Sequence, residues 1–254
     1  MKMLISDWEE WEQVLPMALK YQVGMELLEF AVPDKLDRGP NDLEVARQSL
    51  RALPLLGLHG PYTDLIPATR DALIRQVTYK RLQQGFELAQ RLDASHYIVH
   101  SGYIPKTYPR DMWLQNSRDF WVGFLGDKPA KYMIHMENVY EDDFSSLMEL
   151  TDWVNQSLGE GRLSLCLDIG HVNSNSSRSL AEWITGLGDR IRYTHLHNNG
   201  GILDDHWRLD NGKINVGEVL DLLLKHAPKA LWTIEMPVSD IEPSLIWLKA
   251  QGYL

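Results

Sequence analysis

Residues 132–171 read YMIHMENVYEDDFSSLMELTDWVNQSLGEGRLSLCLDIGH. The stretch opens and closes with short apolar runs, 132–138 and 163–170, rich in Leu, Ile, Met and Tyr. Such runs suit strands buried on both faces. Between them, Ser145–Leu158 is amphipathic at helical spacing. The unit therefore reads as strand, helix, strand. Each strand ends on a group with chemistry: Glu137 closes the first, and Asp168 closes the second with His171 just beyond.

Working outward, the pattern repeats. Similar runs at 2–6, 23–30, 55–60, 97–102, 192–198 and 231–237 bring the set to eight. Helix-like segments at 8–19, 71–91, 179–187 and 216–226 fall between them, the second with Leu73, Val77, Leu82, Phe86 and Ala89 near helical spacing. Eight strand-like runs alternating with helices predict an α/β fold, a single (β/α)8 TIM barrel over residues 1–254. The competing architecture is an open doubly wound sheet, which usually carries a Gly-rich phosphate loop after an early strand. Neither G-x-G-x-x-G nor G-x-x-x-x-G-K-[ST] occurs here. RGPND at 38–42 reads as a loop inside one domain.

The formal net charge of -10 argues mildly against a broad nucleic-acid-binding face, which needs clustered Lys and Arg, without excluding one. Cys166 is the single cysteine, so no internal disulfide can form. The N-terminal MKMLISDWEEWE turns acidic early and has no apolar run like a signal peptide, and no stretch is long and apolar enough to span a membrane. The expected location is cytoplasmic.

The last six runs share one feature. LHGPY carries His59, VHSG His100, HMENVYE Glu137, CLDIGH Asp168 and His171, THLHNN His195 and His197, and TIEMP Glu235. LDDHWRLDNG, after the seventh run, adds Asp204, Asp205 and His206. In a TIM barrel the C-terminal strand ends converge on one mouth, so these residues become neighbours. Imidazole and carboxylate together suit zinc, manganese or iron. Without a cation the crowded carboxylates would have to take up protons. A lone histidine at a strand end is ordinarily a hydrogen-bonded structural one, but repetition on six successive strands weighs against that reading. His96, His135 and His226 read as structural, although His135 shares a strand side with Glu137 and could face the mouth. Cys166 reads as a small core residue. Glu26 in GMELLEF could face the barrel floor or the site, and Glu29 solvent or the mouth.

Taken together, HGPY, VHSG, ENVYE, LDIGH, HLHNN with DDHWRLDNG, and IEMP resemble the xylose isomerase-like TIM barrel superfamily, most clearly over residues 59–235. That superfamily holds sugar isomerases and epimerases and the endonuclease IV type of abasic-site endonuclease. The resemblance implies a divalent metal, zinc or manganese, in one to three ions. The endonuclease-like branch binds three zinc ions through nine ligands, for which the counterparts here are His59, His100, Glu137, Asp168, His171, His195, Asp204, His206 and Glu235. The isomerase branch uses a smaller set: Glu137, Glu235, Asp168 and one histidine of the HLH pair. His195 is the favoured ligand, and His197 would touch substrate or support the ligands. Two departures stand out. Asn198 replaces the acid common in HLHDN, and Leu209-Asp210-Asn211-Gly212 lacks one glycine of the usual turn.

The first functional expectation is a metal-dependent isomerase or epimerase acting on a small sugar, sugar phosphate or related polyhydroxy carbonyl compound. Glu137 and Glu235 would be the catalytic carboxylates that move a proton between neighbouring carbons. Tyr62, His197, Lys106 and Arg208 are the candidate substrate contacts, with Arg110 a further loop cation; for each cation a solvated charge is the simpler reading. Trp113, Trp121 and Trp207 lie near expected mouth loops and could stack on a sugar, a core position being an equal reading. The alternative is an endonuclease IV-like trinuclear-zinc phosphoester hydrolase acting on abasic-site DNA or a small phosphoester. Short loops argue against it: 102–110, the best candidate to engage DNA, carries only two cations. A non-catalytic binding barrel is the third reading. The expected partner is a small molecule, and pairing into a homodimer is compatible with the resemblance.

Overall fold

The computed structural model describes residues 3–8 and 10–254. Lys2, in the first expected strand, and Glu9, in the first expected helix, lie outside the described residues. Eight parallel strands close a barrel in chain order: β1 (Met3–Ser6), β2 (Gly24–Leu27), β3 (Leu56–His59), β4 (His96–His100), β5 (Met133–Glu137), β6 (Leu163–Asp168), β7 (Ile191–Leu196) and β8 (Leu231–Ile234). β1 pairs with both β2 and β8, which completes the ring. The single (β/α)8 TIM barrel is therefore the fold.

The helices form the outer layer: α1 (Trp11–Tyr21), α2 (Pro33–Arg38), α3 (Leu43–Leu50), α4 (Ala72–Arg91), α5 (Arg110–Leu125), α6 (Ser145–Leu158), α7 (Ile169–Asn175), α8 (Leu180–Leu187), α9 (Val216–His226) and α10 (Val238–Ala250). Their starts follow local chemistry. The carboxylates of Asp42 and Asp71 accept from amides in the first turns of α3 and α4, and Ser179 with Glu182 forms a reciprocal capping box on α8. Five helices went unread in the sequence: α2, α3, α5, α7 and α10. α5 shows why. It buries seven residues, including Trp113, Phe120, Trp121 and Phe124, but a polar one, Ser117, falls in the middle of that stripe and breaks its apolar periodicity. Trp113 and Trp121 are 1% and 0% exposed and belong to the core, not to a sugar platform.

The run at 23–30 also divides. β2 ends at Leu27, and Glu29–Ala31 forms a 3-10 turn. The buried carboxylate of Asp7, just after β1, accepts from the amides of Leu28 and Glu29 and ties that turn to the first strand. Helices cover the strands from outside with one large apolar layer. Inside the barrel Leu4, Ile98, Cys166, Tyr193 and Leu231 form a separate small cluster. The barrel also buries Ser6, Glu26, His96, His135 and Thr233, polar residues that an interior normally fills with bulky apolar ones.

Candidate metal centre

β3 to β8 deliver their terminal side chains to one mouth, as strand closure requires. Five groups of three residues hold their ligand atoms within 4.8 Å of one another: His59, His100 and Glu137; Glu137, Asp168 and His171; Asp168, His195 and Glu235; His197, Asp204 and His206; and Glu137, Cys166 and His195. All nine residues of the expected set, and His197, fall in these groups. Glu137 joins three of them, with His59 Nε2 at 3.1 Å, His100 Nε2 at 3.3 Å and His171 Nδ1 at 3.3 Å from its carboxylate.

Ring orientation is set from behind. His59 Nδ1 lies 2.8 Å from the Gly60 carbonyl, His171 Nδ1 2.8 Å from the Asn138 carbonyl, and His206 Nδ1 3.0 Å from the Glu235 carbonyl. A backbone carbonyl can only accept, so in each ring that nitrogen donates its N–H, and the opposite Nε2, which faces a carboxylate, would present its lone pair once a bound cation displaced its proton. His195 is anchored differently: its Nε2 faces the Glu26 carboxylate at 3.1 Å, and its Nδ1 looks into the mouth. Asn138 completes the frame, accepting from Asp168 N and donating to Asp168 O across β5 and β6.

Period-two spacing puts His195 and His197 on the same side of β7, and both face the cluster. His195 Nδ1 lies 2.9 Å from Glu235, 3.4 Å from Glu137 and 3.8 Å from Asp168. His197 Nε2 lies 3.1 Å from Asp168 and 3.6 Å from Asp204, with its ring stacked on His206 at 3.8 Å and fully buried. The glycine of LDIGH makes this possible: a Cβ on Gly170 would sit 1.9 Å from the His197 ring.

The donor set fits a dication. Among the described residues, no Lys or Arg pairs with Glu137, Asp168, Asp204 or Glu235; histidines are their only ionic partners. His195 Nδ1 and Glu235 Oε2 face one another at 2.9 Å without hydrogen-bond geometry, and both are buried with no hydrogen-bond partner. His197 Nδ1 is a further buried orphan. Buried polar atoms are rarely left so unless another group satisfies them. Charge balance carries the same message. Burial alone would depress His171 and His195, yet the surrounding carboxylates hold both well above the usual histidine range, and His206 is pushed up to about 9. Burial would raise Glu137 and Glu235, yet the histidines hold both well below the carboxylate range. Protons are thus shared within the cluster in the role a cation would take.

The remaining expected contacts are spread around the rim. Tyr62 stacks on His100 at 4.3 Å and is 40% exposed. Trp207 is half open to solvent beside Gly200. Lys106 stands on an exposed turn, Arg208 is engaged by Asp210 at 2.7 Å, and Arg110 by Glu149 at 2.7 Å. Asn198 has a clear structural reason to differ from an acid. Its amide nitrogen donates to Leu209 O and Ile214 O while its oxygen accepts from Asn199 N and Ile214 N. A carboxylate could not donate, and the 203–212 loop that carries Asp204 and His206 would lose those ties. Gly212 closes the same loop, since a Cβ there would lie 2.2 Å from Asn198 Oδ1. Sequence reasoning passed over Asn138 and Trp8, whose ring lies 4.7 Å from His206, and left Glu26 between the barrel floor and the site. It also placed Cys166 in the core, where it is indeed buried, but beside Glu137 and His195.

Residues 20–254 match the family model described as xylose isomerase-like TIM barrel. An uncharacterized protein of Methanocaldococcus jannaschii, MJ1311, is 26% identical over 65% of this chain and 59% of its own length. A probable endonuclease 4 of Mycobacterium leprae is 25% identical over 65% of this chain and 66% of its own. The matched segments thus span about three fifths to two thirds of these curated relatives. Among solved structures, a D-tagatose 3-epimerase-like protein superposes with TM-score 0.78 at 24% identity, covering 98% of this chain and 96% of that one. The IOLI protein with a bound zinc atom gives 0.80 at 14% identity, covering 100% and 99%. At these identities the structural likeness is one of fold.

Proposed function

The chain belongs to the xylose isomerase-like TIM barrel family, and from that premise we propose that it is a divalent-metal-dependent isomerase or epimerase acting on a small sugar or related polyhydroxy carbonyl compound. One observation carries the reading. Glu137 from β5 and Glu235 from the end of β8 flank a single atom, His195 Nδ1, at 3.4 and 2.9 Å, in a mouth that buries both carboxylates. Two strands, β6 and β7, lie between β5 and β8 around the ring, so the carboxylates reach that point from different sides. This arrangement suits removal of a proton from the carbon beside a carbonyl by one carboxylate and its return by the other. Returned to the same carbon from the opposite face, the proton gives an epimer; returned to its neighbour, an isomer. A dication bound by Glu137, Asp168, His195 and Glu235 would polarise the substrate's carbonyl and hydroxyl oxygens. Tyr62, Trp8 and Trp207 offer half-exposed aromatic faces at the rim for the apolar side of a sugar ring. With Arg208 and Arg110 engaged by carboxylates, an uncharged sugar suits the rim better than its phosphate.

The second reading, phosphoester hydrolysis with three zinc ions, is favoured by the His197, Asp204 and His206 group, which lies outside the isomerase set. Metal content per chain, followed by a panel of ketoses and aldoses beside abasic-site DNA, separates the two. Interconversion of a sugar pair supports the proposal. Three metals with DNA nicking and no sugar turnover would overturn it in favour of the second.

A further inference from the structure

Three of the histidines facing the mouth are anchored by neutral backbone carbonyls; His195 is anchored instead by a carboxylate outside the ligand groups. That carboxylate, Glu26, is completely buried on β2 and belongs to none of the candidate ligand groups. Among the described residues it has no Lys or Arg partner. Its hydrogen-bond partners are His195 Nε2, 3.1 Å from both oxygens, and the Tyr193 hydroxyl, which donates to Oε2 at 2.7 Å. Burying a carboxylate without a cation is costly unless its lone pairs are filled. Here three strands cooperate to fill them. β7 supplies both donors, β2 the acceptor, and β3 the space: a Cβ on Gly57 would lie 2.9 Å from the Tyr193 hydroxyl and 3.7 Å from Glu26 Cγ.

We propose that Glu26 is a positioning residue that holds His195 in one tautomer and thereby sets the affinity of the metal bound through it. With the proton on Nε2, the N–H is donated to Glu26 and the Nδ1 lone pair faces Glu137, Asp168 and Glu235. The other tautomer fails at both ends. It turns the Nε2 lone pair against a carboxylate and leaves the Nδ1 proton with no acceptor in hydrogen-bond geometry. The Tyr193 hydroxyl keeps the carboxylate from rotating away. Partners of this kind, one bond behind a ligand, typically change metal affinity by about 10- to 100-fold. The inference rests on the proposal that the mouth binds a divalent ion.

The test uses the full chain with zinc alone as the probe, in wild type, Glu26→Gln, Glu26→Leu and Tyr193→Phe. Zinc affinity is read by competition with a chelating dye. The His195 tautomer is read in metal-free protein at alkaline pH, where the ring is neutral, from ring nitrogen NMR shifts, assigned by their loss in His195→Gln. Gln retains an acceptor for the imidazole N–H, with the Tyr193 hydroxyl turned to accept from its amide. The expected order is therefore a loss of about 10- to 100-fold in Glu26→Leu with a mixed tautomer, and a smaller loss in Glu26→Gln and Tyr193→Phe with the tautomer kept. If Glu26→Leu does not fold, the Gln and Phe variants still decide. A wild-type chain that binds no zinc overturns the metal reading, and this role with it. Wild-type binding with unchanged affinity and tautomer in the folded variants overturns the role of Glu26 alone.

Discussion

The two ends of the barrel both concentrate histidine, and only one of them has the chemistry of a metal site. At the N-terminal end His96 Nδ1 meets His135 Nε2 at 2.9 Å, the rings stack at 5.2 Å, and His135 Nδ1 meets the Ser164 hydroxyl at 2.7 Å. These side chains line a cavity of about 1340 Å3, whose lining also holds Asp152, Glu160 and Asp189 together with Arg190, Arg192 and Lys229. Burial, then His96, drives His135 well below the usual histidine range, so it is neutral. The group is satisfied: hydrogen bonds close on each other, and no carboxylate needs a cation. At the mouth, where four carboxylates and six histidines converge, His195 Nδ1 and Glu235 Oε2 are buried and face one another without a hydrogen bond. Histidine count and cavity volume therefore do not identify the site; unsatisfied carboxylate oxygens opposite unsatisfied imidazole nitrogens do.

That contrast can be broken most sharply at the carboxylates. Glu137→Gln and Glu235→Gln are each expected to reduce turnover by about 10^3-fold or more with the circular dichroism spectrum unchanged. Wild-type-like rates in both would falsify their assigned roles. Next in size is metal removal. An ion present at about 1,000 times its dissociation constant stabilises the native state by about 4 kcal/mol, so chelation should lower the Tm by roughly 10 °C. An unchanged melting curve after proven removal would count against a site.

The third effect is one of sign. In metal-free protein the raised histidines, His206 at about 9 against an ordinary 6.5, contribute stability that is full below pH 6.5 and lost as pH rises toward 9. The depressed carboxylates contribute stability lost only on acidification below their ordinary 4.5. Metal-free protein should therefore melt highest between these limits and decline toward pH 9. Metal needs the neutral imidazoles, so the Tm gap between loaded and metal-free protein should widen over the same interval. Calorimetry of both forms at pH 6.5 and 9 decides it, and a narrowing gap contradicts the assignment. The smallest effect belongs to the other end. Ser164→Ala removes one partner of His135 and should cost about 1 kcal/mol, a few degrees of Tm, with metal content unchanged. Loss of metal in that variant would mean that the two ends are coupled.

Much of the mouth was legible because a barrel turns sequence position into spatial position. A residue at a strand's C-terminal end must arrive at the rim, so His59, Glu137, Asp168 and Glu235 could be grouped from four distant segments. Period-two spacing likewise placed His195 and His197 on one side. Glu26 was ambiguous because nothing local distinguishes a carboxylate below the mouth from one above the floor; only Tyr193 and His195, across the barrel on β7, settle its surroundings. Trp113 and Trp121 were left between core and mouth for a related reason: an aromatic near an expected loop looks the same whether it is outside a helix or beneath one.

The order of the strands and of five of the helices between them, the convergence of ligand-type residues and the family likeness were determined by the sequence, because hydrophobic periodicity and strand-end position are properties of consecutive residues. Which imidazole nitrogen faces which carboxylate, which histidine stands behind which group, and why Asn198 and Gly170 occupy their places were decided only by the tertiary structure. Those answers depend on distances between side chains on different strands, which closure of the barrel brings within hydrogen-bond reach and which no single segment encodes.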